Sequence, residues 1–250
     1  MAVTDLAIAD WFAQKGWQPF AFQQSVWRAM RQGQWGLLHA STGSGKTLAT
    51  WFGALERCAA QQAMAAGGLK VLWITPMRAL AADTAATLED TGHLLVPDWR
   101  IEMRTSDTTS AVRARQGKHL PDALVTTPES LSLLLASTDA QLRLKSVQVV
   151  VVDEWHELLG SKRGVQVQLA LARLKHWQPE LIVWGMSATL GNLEQARDAL
   201  TWAHPEQSVL VSDDKRKEVA IEVMLPPKVE RFAWAGHMGL SLIDQVASCL

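Results

Sequence analysis

Two hundred and fifty residues, 48% apolar and 20% charged, suffice for one large globular domain or a domain plus part of another, and exclude a disordered chain. Lys and Arg total 24 against 25 Asp and Glu; the net charge of −1 excludes a polycation held on nucleic acid by bulk charge, though not a local basic groove. Two cysteines, Cys58 and Cys249, exclude a disulfide framework or Cys-rich zinc site and point to a reducing, cytoplasmic setting.

The opening stretch MAVTDLAIADWF carries Asp5 and Asp10 and lacks the basic start of a secretion signal. No run of 18 apolar residues is present to span a membrane. Pro19 stands ahead of a helix expected over 22–31. Short β-branched runs predict strands at 35–39, 70–75, 101–105, 123–126, 147–152, 181–186 and 208–211. Helical patterns fall between them at 46–65, ended by Gly67-Gly68, and at 77–89, 166–177 and 193–202. The run VQVVVV at 147–152 reads as a strand buried on both faces. This alternation predicts an α/β fold with a doubly wound, mainly parallel sheet. Near Asp213 the pattern changes to the charged run DDKRKE, an alternating strand at 219–224, Pro226-Pro227 and an amphipathic helix at 239–250. The expectation is one domain over 1–212, with 213–250 the linker and truncated start of a second.

Residues 40–47 read ASTGSGKT, directly after an expected strand and before an expected helix. In that context the backbone N–H groups of Thr42, Gly43, Ser44 and Gly45 surround phosphate oxygens at a helix N-terminus. Lys46 reaches the β- and γ-phosphates of ATP, and the Thr47 hydroxyl ligates Mg²⁺. The strict pattern has glycine where this chain has Ala40. A flexible Gly/Ser turn before a helix is the plain alternative. Asp153-Glu154-Trp155-His156 follows VQVVVV at once, which sets two carboxylates in the crevice where α/β sheets bind ligands. Asp153 is expected to hold the metal, and Glu154 to orient or deprotonate the attacking water. A zinc-binding H-E-x-x-H helix is excluded, because its last position is Gly160.

Taken in order, ASTGSGKT, TPMRALA (75–81), TTPES (126–130), DEWH (153–156) and SAT (187–189) resemble motifs I, Ia, Ib, II and III of superfamily 2 helicases. Gly16-Trp17, Pro19 and Gln23 resemble the motif that reads adenine in those enzymes. DEWHELLGSKRGVQ and SATLGNLEQA are similar to the Lhr (large helicase-related) family, and most similar to its ligase-associated bacterial branch. The resemblance covers essentially the whole chain. It implies a RecA-like P-loop domain followed by the start of a second RecA-like domain.

What it implies functionally is an ATP-dependent helicase that tracks single-stranded or tailed DNA from 3′ to 5′ in repair, with a DNA ligase and a nuclease as neighbours. An ATP-gated nucleic-acid clamp and an RNA helicase are the alternatives. Intact Lys46, Asp153 and Glu154 disfavour the clamp, and His156 disfavours the DEAD type of RNA helicase, which has Asp there. Gln23 is placed on the adenine edge, with Trp17 or Phe20 stacking or else packing on the helix behind. Arg78 and Thr127 are placed on the nucleic-acid backbone. His156, Ser187 and Thr189 are placed between the two sites; the plain alternative for SAT is a helix N-cap before Leu193, which Asn192 could serve equally well. Thr105–Thr108 resembles a family segment with glycine where Ser106 stands. Lys162-Arg163 is the basic pair expected to be more than solvated surface. A motor of this kind needs a cation from its second domain, so these 250 residues alone are expected to hydrolyse ATP very slowly and not to unwind.

Overall fold

The computed structural model describes residues 5–63, 67–202, 205–213, 243 and 247. Packing divides the chain into two units, Met1–Asp213 and Asp214–Leu250. The expected strand at 219–224 and helix at 239–250 lie outside the described residues, apart from helical Ile243 and Ala247. No helix among the described residues is long and apolar enough to cross a membrane.

The first unit is built on seven strands: β1 (Trp35–His39), β2 (Val71–Ile74), β3 (Ile101–Arg104), β4 (Ala123–Thr126), β5 (Val149–Val152), β6 (Ile182–Ser187) and β7 (Ser208–Ser212). They lie in the order β3-β4-β2-β5-β6-β1-β7, and every pairing is parallel. All residues of β2, β4, β5 and β6 are buried, so helices must cover both faces of the sheet there. The edge strands β3 and β7 are only partly buried. Each strand falls within two residues of its sequence expectation.

The helices are α1 (Asp5–Gln14), α2 (Ala21–Arg31), α3 (Lys46–Ala60), α4 (Arg78–Leu95), α5 (Ser110–Lys118), α6 (Pro128–Leu135), α7 (Ala140–Leu144), α8 (Trp155–Leu158), α9 (Lys162–Trp177) and α10 (Leu193–Leu200). The three largest differences from the expected boundaries each have a local reason. α3 stops at Ala60 rather than near 65, because the chain turns through Gln61 and Gln62, the latter at φ 54°. α4 runs past Glu89 because Thr91, Gly92 and Leu95 bury a further turn. α9 begins at Lys162, where the Ser161 hydroxyl accepts the Gly164 N–H at 3.1 Å and caps the helix. α1, α5, α6, α7 and α8 have no counterpart in the sequence reading; most are too short to show a helical period.

Of the twelve tryptophans, Trp51, Trp73, Trp155 and Trp184 are fully buried. Three of these pair the indole N–H with a distant element: Trp184 donates to Gln34 O (2.8 Å), Trp155 to Ala196 O (2.9 Å) and Trp73 to Asp153 Oδ2 (3.5 Å). Trp184 also explains Gly36 opposite it in β1, since a Cβ there would sit 2.7 Å from the ring.

Candidate functional site

Strands β5, β6 and β1 are adjacent, so the loops that leave their C-terminal ends meet at one place. After β1 the chain enters the loop 40–45 and then α3. Gly43 (φ 73°) and Gly45 (φ 89°) adopt the left-handed region, which a side chain would strain. Ala40 is not among the positive-φ residues, so alanine is accommodated where the strict pattern has glycine. Lys46, nearly buried, folds back and donates to Ala40 O (2.8 Å) and Ser41 O (3.1 Å), closing the loop around itself. The buried hydroxyls of Ser41 and Ser44 have no hydrogen-bond partner. A buried donor left unmet costs about 1–3 kcal/mol, so the loop is built for an acceptor that comes from outside it. Phosphate oxygens at a helix N-terminus are such acceptors.

The acidic pair follows β5. Asp153 accepts from the Glu154 N–H (2.9 Å) and, weakly, from the Trp73 indole (3.5 Å). Burial, reinforced by the charge of Glu154, pushes the Asp153 carboxyl up to about 6, although Lys46 and both hydrogen bonds pull the other way. Such a carboxyl gains from a cation beside it. Glu154 sits in the left-handed region at φ 45°, a strained backbone for a residue with a side chain. Its Oε2 is buried without a hydrogen bond, 3.4 Å from His156 Nδ1.

β6 ends between these two loops, and its last residue, Ser187, touches both. The Ser187 carbonyl accepts the Ala40 N–H (3.1 Å), and its hydroxyl meets His156 Nδ1 at 3.0 Å. One fully buried serine thus joins the phosphate loop, through its backbone, to the acidic motif, through its side chain. The helix-cap explanation of SAT is removed, because Asn192 caps α10 by accepting the Gln195 N–H at 3.1 Å. Thr189 is exposed and has no hydrogen bond to the acidic motif.

Gln23 approaches the same loop from α2. Its Oε1 accepts the Phe20 N–H (2.9 Å) and its Nε2 donates to Gly45 O (3.1 Å). A Cβ on Gly45 would lie 2.8 Å from that Nε2, a second reason for glycine. Arg31 fastens α2 to α3 through two donors on Glu56 Oε2 at 3.0 and 2.8 Å. Trp17 and Phe20 are exposed, with Phe20 stacked on Phe22 and Trp17 edge-on to Trp11. Thr47 opens α3 one residue beyond Lys46.

The loops after β2, β4 and β3 form a second, separate cluster. Arg78 begins α4, and its Nη1 contacts Asp107 Oδ1 at 2.6 Å and Ser106 Oγ at 3.4 Å. Thr127 is buried at the start of α6, its hydroxyl 3.4 Å from Ser130 Oγ. Arg163, at the start of α9, pairs in two-pronged fashion with Glu129 at 2.6 and 3.2 Å. Arg78, Thr127, Glu129 and Arg163 line one groove of about 530 Å³. Arg113 of α5 holds the Thr105 and Ser106 carbonyls at 3.0 and 2.7 Å. Ser106 takes no positive φ, so serine fits where glycine was expected.

The structure therefore gathers Gln23, residues 42–47, Asp153, Glu154, His156 and Ser187 on one side, and Arg78 with Thr127 on the other. Ser41, Trp73, Asp107 and Glu129 were missed by the sequence reading. Ser41, Asp107 and Glu129 had a signal there, lying inside ASTGSGKT, the segment 105–108 and TTPES; Trp73 depends on a neighbour remote in sequence. Among the described residues no trio of His, Cys, Asp or Glu could by itself hold a metal ion.

Residues 20–196 match the family model described as DEAD/DEAH box helicase. The chain is 34% identical over 229 residues to the Lhr helicase/probable uracil glycosylase of Mycolicibacterium smegmatis, covering 87% of this chain and 15% of that one. It is 32% identical over 241 residues to the Lhr helicase/uracil glycosylase of Escherichia coli, covering 88% and 15%. Among solved structures, Mycobacterium smegmatis helicase Lhr bound to ssDNA and AMP-PNP is similar at a TM-score of 0.77 and 28% identity, covering 99% of this chain and 32% of that one. The chain thus spans about 15% of the length of these two curated relatives, and the likeness makes its fold RecA-like.

Proposed function

The chain belongs to the DEAD/DEAH box helicase family, and from that premise we propose that it carries the nucleotide-hydrolysing half of an ATP-dependent motor that moves along nucleic acid. The observation that supports this reading most is Ser187, whose backbone holds the phosphate loop while its hydroxyl holds His156 of the acidic motif. A change at the γ-phosphate has a route of two hydrogen bonds through the end of one strand. In this reading Thr42 to Gly45 and Lys46 hold the phosphates, and Thr47 with Asp153 would hold Mg²⁺. The metal would supply charge neutralisation at the phosphates. Glu154 orients the attacking water and accepts its proton. Gln23 reads the adenine edge; an adenine that takes over its amide releases Gly45 and Phe20, so nucleotide recognition and loop shape are linked. Arg78 and Thr127 hold strand phosphates, Ser187 and His156 carry the coupling, and Thr189, exposed at the end of SAT, takes the smaller part in it.

The finer assignment rests on resemblance to the ligase-associated Lhr branch: 3′ to 5′ movement on single-stranded or tailed DNA, a role in repair beside a ligase and a nuclease, and a cytoplasmic setting. DNA is further supported by the Mycobacterium smegmatis Lhr structure, which was solved with ssDNA and AMP-PNP. A second RecA-like domain starting near 213 would supply the transition-state cation. The test measures ATP hydrolysis by the full natural chain with single-stranded DNA, with RNA and with neither, beside strand displacement on a tailed duplex. Hydrolysis stimulated by DNA together with displacement is the expected result. Binding without turnover would replace the motor by a clamp, and stimulation by RNA alone would reassign the substrate. Residues 1–250 assayed in parallel should not displace a strand; equal displacement would put the whole catalytic unit within them.

A further inference from the structure

The groove after β2, β4 and α8 holds two cations that a strand would need, and each is already occupied by an acid of the same chain. Arg78 meets Asp107 at 2.6 Å, and these side chains are 59% and 60% exposed. Arg163 meets Glu129 through two hydrogen bonds at 2.6 and 3.2 Å, the fork geometry with which guanidinium also takes a phosphate. Arg78, Glu129 and Arg163 line the same open groove of about 530 Å³, and with Asp107 held on Arg78 its two cations are matched by two acids. Partial burial raises the Glu129 carboxyl, but the hydrogen bond and charge of Arg163, with hydrogen bonds from its own backbone and from Thr127, together outweigh it and hold the group below its ordinary range. Glu129 thus stays charged and on its partner at neutral pH.

Neither pair is needed to build the fold. Exposed ion pairs contribute little to stability, because solvent screens them. The turn that carries Asp107 is held by Arg113 on the Thr105 and Ser106 carbonyls and by the Thr108 hydroxyl on the Thr105 N–H (2.9 Å). Helix α9 is started by the Ser161 cap without help from Arg163.

We propose that Asp107 and Glu129 are resident competitors for the strand's phosphates: they hold Arg78 and Arg163 across the groove, are displaced when a strand enters, and so make Arg163 a second phosphate-binding arginine whose grip is deliberately weak. A motor that must release and rebind the strand in each step is served by cations with an internal anion to return to. Each strand phosphate carries one charge, as a carboxylate does, so the strand wins by presenting several phosphates along the groove at once and has only the energy of exposed pairs to overcome; it is held without being trapped. This inference rests on the strand-tracking reading given above.

The experiment uses the full natural chain and a labelled oligothymidylate, with binding followed by anisotropy over a salt series. Asp107→Asn and Glu129→Gln should each tighten binding by up to about fivefold, the range that exposed ion pairs span. Arg163→Gln should weaken binding and flatten the logarithmic salt dependence by about 0.7, the value of one single-strand phosphate contact. Weaker or unchanged binding in both acid variants, or an unaltered salt slope in Arg163→Gln, overturns the proposal, since a competitor's removal must free a guanidinium for phosphate and the loss of Arg163 must remove one phosphate contact. A wild-type chain that binds no strand at all would instead overturn the motor reading beneath it.

Discussion

At the ends of β5, β6 and β1 the key polar groups are buried, some bonded to one another and some without a partner, whereas at the ends of β2 and β3 Arg78 and Asp107 stand in solvent and are matched by opposite charges. Lys46, Asp153 and Ser187 are each less than a tenth exposed; Arg78 and Asp107 are more than half exposed. The same sheet thus offers two kinds of site. On the nucleotide side a low dielectric strengthens each interaction and raises the cost of an unmet group, so geometry is set before any ligand arrives. On the strand side charges are screened and exchangeable, which suits a ligand that must be let go. Rigid positioning and easy release come from burial and exposure rather than from different folds.

The largest expected effect lies on the nucleotide side. Glu154→Gln in the full natural chain should keep nucleotide binding and lower hydrolysis by on the order of 10² or more, because the oriented water loses its base. Phosphate release measured beside titration with a fluorescent ATP analogue decides it; turnover within about threefold of wild type would remove Glu154 from that role.

Lys46→Ala should weaken the same titration by about tenfold to a hundredfold, the range for a hydrogen bond to a charged group. Unchanged affinity and turnover would mean that the loop's backbone suffices and that the buried side of the comparison is overstated.

The strand side can be tested for its dependence on rigid backbone. A Cβ on Gly164 would lie 2.1 Å from the Leu158 carbonyl oxygen, so Gly164→Ala must displace the start of α9. Overpacking against backbone costs about 1–3 kcal/mol, which a shift in the urea midpoint of the folded chain should show. No shift would mean that α9 moves freely on α8 and that the arginine beside Gly164 is not anchored by it.

A smaller effect is expected at the junction. Ser187→Ala removes the hydroxyl on His156 and leaves the backbone bond to Ala40 intact. Strand displacement should fall several-fold more than DNA-stimulated hydrolysis, at about 1 kcal/mol for one hydrogen bond. Thr189→Ala, at an exposed position, should have less effect on the ratio. Equal losses in both assays would reduce Ser187 to a structural contact.

The smallest effect concerns Cys58, whose thiol burial pushes up to about 12. A raised thiol pKa leaves stability unaffected below the unfolded-state value and lowers it as pH climbs above that value. In a Cys249→Ser background, iodoacetamide at mildly alkaline pH should leave folded Cys58 unmodified and label it once urea is added.

Much of this was readable without coordinates. A parallel sheet follows from runs such as VVVV, whose burial on both faces needs no knowledge of neighbours. Gly43, Gly45 and Lys46 could be placed because a phosphate loop is local: strand, loop and helix are contiguous in the chain. The short helices α6, α7 and α8 could not be read, since each depends on packing more than on periodicity. The Gly67-Gly68 stop for α3 was misplaced because Gln61 and Gln62 turn the chain earlier without a glycine.

What the sequence by itself determined was the α/β alternation, the order of the motifs and the identity of the groups that carry charge. Strand order was decided only by tertiary structure. By placing β6 between β5 and β1 it brought Ser187 to Ala40 on one side and to His156 on the other, across separations of 147 and 31 residues. The same order brought Asp107 to Arg78 and Glu129 to Arg163, pairs 29 and 34 residues apart. The reason is physical: a strand's own pattern specifies that it is buried, while its neighbours are chosen by the packing of every other strand and helix at once. Contacts made at strand ends inherit that choice.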